Sequence, residues 1–301
     1  MKKILALSTR LLLGGLLVIN VIVTEGQPSS SSEEMSEVHQ HIIKSKINGV
    51  TYHLSVSLPK HYSSMKDLRY PVLYYLDGNV TFPIAFGTRV ILDWTGEIED
   101  VIIVGVGYSK LSIIPLMTSR WTDYTPSSNV KTDSSFLGPI GVPAGSLTSG
   151  GGPVFLNVLR KEIFPFIETQ YKTTDDRGIA GNSFGGLFAG YCLISAPDLF
   201  HRYGINSPSF WWDNGYMFPL EKSFSKGNRF LNANVFMSVG SLEGEWMVPK
   251  MIAFADSLKH HNYNGLTLTT QLFDNETHVS VIPASISRTL RVLYGVKEKK
   301  K

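Results

Sequence analysis

Three hundred and one residues, 43% hydrophobic and 18% charged, suit one globular unit built around a large core. The net charge is only +3, part of it in the tail Lys297-Glu298-Lys299-Lys300-Lys301. No basic stripe interleaved with aromatics is present, which disfavours nucleic-acid binding. A single cysteine, Cys192, excludes an intramolecular disulfide. Its neighbours Leu187, Phe188, Tyr191 and Leu193 mark it as a small buried hydrophobe rather than a catalytic thiol.

At the N-terminus, Lys2 and Lys3 precede an apolar stretch from Leu11 to Val23, interrupted by two glycines and Asn20. Its length is that of a signal-peptide core and falls short of the roughly 20 residues that span a bilayer. Residues 1–26 are read as a signal peptide or an uncleaved N-terminal anchor; Arg10 and the lack of a clean A-x-A site leave both readings open. Either way the chain is expected to be exported, periplasmic or secreted, with any membrane association running through this segment. No cysteine follows to take a lipid. Residues 27–37, dominated by Ser and Glu, form a polar linker that cannot bury enough surface to fold.

Beyond the linker, strand and helix patterns alternate to the end. His41 to Lys46 and Tyr52 to Leu58 alternate apolar with polar residues, as half-buried antiparallel strands do. Val72 to Leu76 and Val101 to Val106 are too apolar for one-sided burial and predict central parallel strands. Phe155, Leu159, Ile163 and Ile167 recur at helical spacing, with Leu156 and Phe166 widening the stripe, and Pro165 should kink that helix or end its regular part. Gly178 to Gly181, Tyr203 to Asn206, Val235 to Val239 and Leu266 to Phe273 read as further strands, with a helix from about Met247 to His260 before the last. This alternation predicts a doubly wound, mostly parallel sheet with helices on both faces, forming one catalytic domain over 38–296.

Gly181-Asn182-Ser183-Phe184-Gly185 matches G-x-S-x-G, the nucleophile turn of the α/β-hydrolase fold. The chemistry needs a serine on a sharp strand-to-helix turn, with small neighbours two residues to either side so that the turn can close. The pattern here follows an apolar strand and precedes a helix, which is the context it requires. Serine also needs a base, and the base an orienting acid, in the chain order Ser, acid, His. Of eight histidines, His278 alone lies in a loop just after the last strand. The acid belongs just past Val235–Val239, where Glu243 and Glu245 both qualify and Glu243 is nearer the strand end. Oxyanion donors are expected from the backbone N–H of Phe184 and from that of Gly78 or Asn79, in the loop after the third strand.

With these residues assembled, the chain resembles the esterase family that includes esterase D and the enterochelin esterases, within the α/β-hydrolases. The likeness runs from about Val38 to Gly295. It is carried by Tyr70 to Asn79, Arg120-Trp121-Thr122-Asp123-Tyr124-Thr125-Pro126, the Phe155 to Tyr171 helix, and Ile179 to Gly186. Ser207-Pro208-Ser209-Phe210-Trp211-Trp212, Val239 to Glu243 and Glu276-Thr277-His278 complete the set. The resemblance implies ester hydrolysis through an acyl-enzyme with neither metal nor organic cofactor, and puts Ser183, Glu243 and His278 on the nucleophile, acid and base positions. It implies a small-molecule ester as partner: a siderophore lactone, S-formylglutathione, or an acyl or feruloyl ester of a sugar. Some siderophore-esterase relatives work with a Ser–His pair alone.

Three more residues are candidates for holding substrate. Trp211 and Trp212, in the loop after Tyr203–Asn206, suit an aromatic wall, or else plain packing. Arg120 suits an anionic or carbonyl-rich substrate, or else an ordinary ion pair. The Ser-, Gly- and Pro-rich stretch from Ser127 to Gly152 reads as a loop over the site. An acyltransferase using the same acyl-enzyme and a non-catalytic binding protein are the rival functions. The ordered Ser, acid and His positions argue against the second.

Overall fold

The computed structural model describes residues 38–108, 113–135 and 145–296. The leader and linker expected over 1–37, the basic tail and part of the Ser127–Gly152 stretch lie outside them. In chain order the elements begin with β1 (Val38–Lys44), β2 (Thr51–Ser57), β3 (Tyr70–Leu76), α1 (Gly78–Trp94), β4 (Ile102–Tyr108) and α2 (Ile113–Tyr124). Next come α3 (Val130–Ser135), α4 (Gly152–Val158), α5 (Phe164–Gln170), β5 (Thr173–Asn182), α6 (Phe184–Ser195) and β6 (Arg202–Asn206). Last are α7 (Trp212–Gly215), α8 (Met217–Gly227), β7 (Phe230–Gly240), α9 (Val248–His261), β8 (Asn264–Phe273) and α10 (Val281–Tyr294).

All eight strands form one sheet in the order β1-β2-β4-β3-β5-β6-β7-β8. β1 and β2 are antiparallel to each other, β2 is antiparallel to β4, and every other pairing is parallel. Two-sided burial explains the unbroken apolar runs at the centre. Along β3, Val72, Tyr74 and Leu76 enter one core while Leu73 and Tyr75 enter the other. Along β4, Ile102, Val104 and Val106 face the first core and Ile103 the second. β5 starts five residues before the apolar Gly178–Gly181 run, because its first half is only partly buried and carries polar side chains.

The stripe from Phe155 to Ile167 forms as α4 and α5 joined by a π-helical turn, Leu159–Ile163. Pro165 follows one residue later, as the second residue of α5. It has no N–H to give the preceding turn, and the wider π turn makes room for its ring.

Strand order fixes where the chemistry can sit. β3 lies between β4 and β5, so the helices that leave β3 and β5 go to opposite faces. Phe82, Ala85 and Leu92 of α1 pack with Ile286, Leu290 and Leu293 of α10 in one core. Phe184, Leu187 and Phe188 of α6 pack in the other. Such a divergence opens a crevice at the carboxyl ends of the strands, the usual place for a site in an open α/β sheet.

Candidate active site

β5 ends at Asn182 and α6 begins at Phe184, leaving Ser183 to turn the corner alone with φ 61° and ψ −118°. A non-glycine residue in that region is strained and persists only when its surroundings hold it. They do so here. Ser183 N–H donates to Asn206 O at 3.1 Å, while Ser183 O accepts from Leu187 N–H at 2.9 Å and Ser209 N–H at 3.1 Å. A Cβ at Gly181 would stand 2.5 Å from the Gly185 carbonyl carbon, so glycine is obligatory there. At Gly185 itself the nearest atoms to such a Cβ would be 3.4 Å away, a tight but possible contact. Only one of the two flanking glycines expected to be essential for clearance is strictly so. As first residue of α6, Phe184 has an N–H without a partner inside the helix.

The second component comes from the ends of β7 and β8. Glu243 closes a short 3-10 turn after β7, and its side chain is fully buried. One carboxylate oxygen, Oε2, lies 2.6 Å from His278 Nδ1. The other accepts from Gly240 N–H at 2.7 Å and Ser207 Oγ–H at 2.6 Å. Burial opposes its charge, but the hydrogen bonds from His278, Ser207 and Gly240 prevail and hold the carboxyl below the usual glutamate range. A carboxylate at Nδ1 assigns the ring proton to that nitrogen and leaves Nε2 with its lone pair. The two loops are also tied by their backbones: Leu242 N–H donates to Glu276 O at 3.0 Å. A Cβ on Gly240 would meet that same oxygen at 2.4 Å, so only glycine permits this approach.

Glu245 is exposed. Asp274 accepts from Asn275 in its own loop and from Ser241 in the turn after β7, and Glu276 accepts from Ser280. Ser183 Oγ shares a hydrogen bond of 3.3 Å with Ser209 Oγ; among the described residues none joins it to His278.

The third component is the turn from β3 into α1. Asp77 occupies the left-handed region, φ 56° and ψ 39°, and its carbonyl accepts the N–H groups of Val80 and Thr81. Gly78 and Asn79, the first residues of the helix, precede those donors, so their own N–H groups have no intrahelical acceptor. The Asn79 side chain locks this turn to the end of β4, accepting from Tyr108 N–H at 2.7 Å and donating to Tyr108 O at 2.8 Å. A hollow of about 220 Å³ borders Gly78 and Asn79, with Gln40, His53 and Ser55 on its far wall. A larger cavity, about 780 Å³, opens among Asp176, Arg202, Asn234 and Gly265. It lies at the opposite ends of the strands, away from Ser183. No group of three or more His, Cys, Asp or Glu side chains among the described residues is placed to hold a metal ion.

A family model described as "Putative esterase" matches residues 45–129 and 146–263, more than half the chain. The chain belongs to this esterase family. Ferri-bacillibactin esterase BesA of Bacillus subtilis is 29% identical over 267 residues, covering 83% of this chain and 87% of that protein. A siderophore triacetylfusarinine C esterase of Aspergillus fumigatus is 25% identical over 283 residues, 82% and 89% of the two chains. Among solved structures, the BES protein from Bacillus cereus superposes with a TM-score of 0.75 at 31% identity, over 90% of this chain and all of that one. An IroE-like serine hydrolase from Shewanella oneidensis gives 0.71 at 27% identity, over 86% and 80%. The fold is that of the α/β-hydrolases, and the protein is an ester-hydrolysing enzyme.

In this esterase, two of the three candidates for holding substrate take their alternative reading. Trp212 is fully buried; its Nε1–H donates to Ser127 Oγ at 3.1 Å and its ring packs edge-on against Trp121 and Phe184. It is core, because the α7 turn aims it inward. Trp211, one residue earlier, is half-buried with its ring 5.8 Å from that of Phe184, and stays a candidate wall. Arg120 is spent on an ion pair: Nε and Nη2 meet Asp77 Oδ1 and Oδ2 at 2.8 and 3.0 Å. Asp77, the residue at the N-terminal boundary of α1, makes no side-chain cap. Sequence reasoning missed Ser207 and Ser209 as hydrogen-bond partners of Glu243 and of Ser183. Their signal was position, since both follow β6 directly at the carboxyl end of the sheet. The esterase also exposes Leu242, Trp246 and Val279 close in sequence to Glu243 and His278.

Proposed function

We propose that the esterase cleaves a small-molecule ester through an acyl-enzyme on Ser183, with His278 as general base and Glu243 as the group that orients it. The observation that carries this reading is the 2.6 Å contact between His278 Nδ1 and a buried Glu243 carboxylate, at the same strand ends as the strained Ser183. Substrate entry turns the Ser183 hydroxyl from Ser209 toward His278 Nε2. The hydroxyl oxygen attacks the carbonyl carbon as its proton passes to Nε2, and the new oxyanion lies among the N–H groups of Phe184 and of Gly78 or Asn79. Collapse expels the alcohol, which takes the proton from Nε2. Water then repeats the sequence to release the acid and restore Ser183.

The substrate class we infer is a siderophore ester, on the support of the named activities of BesA and of the Aspergillus fumigatus relative. The exposed Trp246 and half-buried Trp211 suit a flat aromatic portion of such a molecule. The same proposal includes an exported enzyme, with residues 1–26 as its leader; sequencing the N-terminus of the protein recovered outside the cytoplasm checks that part.

The test is incubation with a fluorophosphonate probe beside a Ser183→Ala twin, followed by turnover assays on ferri-bacillibactin, triacetylfusarinine C and short acyl esters. Labelling of the wild type alone, with hydrolysis of a siderophore ester, is expected. Full hydrolysis by Ser183→Ala would sink the nucleophile assignment. Product formation that depends on an added alcohol acceptor would make the enzyme a transferase.

A further inference from the structure

The oxyanion donors stand on two turns that leave for opposite faces of the sheet, one before α1 and one before α6. Nothing covalent sets the distance between them. Yet such donors work only when held within a few tenths of an ångström of the developing charge. One side chain touches both turns. Arg120, on α2, grips the Asp77 carboxylate with two parallel N–H···O bonds, and Asp77 is the residue immediately before Gly78. Its guanidinium carbon lies 5.5 Å from the centre of the Phe184 ring, and Phe184 supplies the other donor.

The pair is enclosed, Arg120 being 11% and Asp77 13% exposed. One turn further along α2, Tyr124 Oη accepts from Asp77 N–H at 3.1 Å. Asp77 holds a left-handed conformation that side chains rarely adopt, so it needs restraint, and α2 restrains it at backbone and side chain alike. The carboxylate also borders the nucleophile turn, with Oδ2 3.4 Å from where a Cβ on Gly185 would stand. An arginine meant to grip substrate would aim its fork at open space. This fork is filled by Asp77, and its central carbon lies 5.5 and 5.7 Å from the ring centres of Phe184 and Tyr124.

We propose that Arg120 is a positioning residue, which through Asp77 and Phe184 sets the spacing between the two halves of the oxyanion hole. The inference rests on the reading of Ser183 as nucleophile. Lysine keeps the charge at this position but lacks both the planar fork and the flat face.

The experiment compares Arg120→Lys, Asp77→Asn and their double variant with wild type, each normalised to the Ser183 sites that a fluorophosphonate titrates. On a short uncharged acyl ester, kcat per titrated site is expected to fall by on the order of 100-fold, near the loss of one oxyanion donor, with KM within about threefold. The double variant should be no worse than the poorer single one, since the two act as a unit. Tyr124→Phe, a milder change, should lower kcat in the same direction by roughly tenfold, and it carries the test if Arg120→Lys does not fold.

Unchanged kcat per titrated site in the folded variants would overturn the proposal. So would a selective rise in KM for anionic esters with kcat intact, which is the mark of direct substrate contact. Failure of the nucleophile reading looks different: wild type would not be labelled at Ser183 at all.

Discussion

Ser207 donates its hydroxyl to Glu243 Oε1 at 2.6 Å, opposite the oxygen that meets His278. Ser207 has φ 40°, an unusual backbone that turns its hydroxyl under the acid as the chain leaves β6. On the proposed mechanism this serine fixes the carboxylate that fixes the imidazole. Ser207→Ala is expected to lower kcat by on the order of tenfold, the worth of one hydrogen bond to a charged group, with KM nearly constant. Steady-state rates on a short acyl ester measure it.

Glu243 and Glu245 sit two residues apart, one buried and one exposed. Glu243→Gln should cost roughly 100-fold or more in kcat, because an amide in place of the carboxylate cannot fix the Nδ1–H tautomer. Glu245→Gln should stay within about twofold of wild type, as surface changes do. Equal rates in the two variants would mean that neither orients His278.

The same carboxylate couples folding to acid. Its hydrogen bonds depress the native value below 4.5, so its contribution to stability is complete above that pH and disappears as pH falls through the lower native value. Glu243→Gln should therefore show a flatter decline of melting temperature than wild type below about pH 4.5. Thermal melts in a buffer series from pH 3 to 7 would read it; parallel curves would refute the coupling.

Asp123 works in the opposite sense. It is buried and accepts from Tyr52 and Tyr108 at 2.8 and 3.1 Å, yet burial pushes its carboxyl up to about 7. Between the unfolded value of 3.8 and that native value, the unfolded chain gives up a proton that the folded chain keeps. Stability must then fall as pH rises across this window, by at most about 4 kcal/mol. Asp123→Asn should remove that slope in denaturant titrations at pH 5 and pH 8, whatever its effect on absolute stability.

The two neighbouring tryptophans separate packing from binding. Trp212→Ala should cost ~3–5 kcal/mol of stability, the usual loss for a large buried aromatic. Trp211→Ala should leave the melting temperature within a few degrees and act mainly on KM for aromatic esters. A reversed outcome would exchange their roles.

Which features were legible in the sequence follows from how local their causes are. The central strands were readable because burial on both faces leaves no polar position in Leu73–Leu76 or Ile102–Val106. The nucleophile turn was readable because its steric demand falls within five consecutive residues. His278 stood out by its place after the last strand. Arg120 and Asp77 lie 43 positions apart, and no pattern along the chain announces that α2 lays one against the other. Trp211 and Trp212 share composition and context. Only the α7 turn, with Asp213 and Asn214 both at positive φ, decides which of them faces inward. Ser207 and Ser209 were visible as residues, but their roles depend on side chains arriving from β7 and from the β5–α6 turn.

On the proposed mechanism, Leu242 and Val279, exposed beside Glu243 and His278, would tie substrate preference to proton transfer by simple adjacency in the chain. A change there also disturbs the backbone that holds Leu242 N–H to Glu276 O, and with it the alignment of Glu243 and His278. Trp211 is on neither of these two loops, so on the proposed mechanism a change there reshapes the site without loosening that tether. Drift among descendants of this enzyme should concentrate there, leaving the two tethered loops to vary together or not at all.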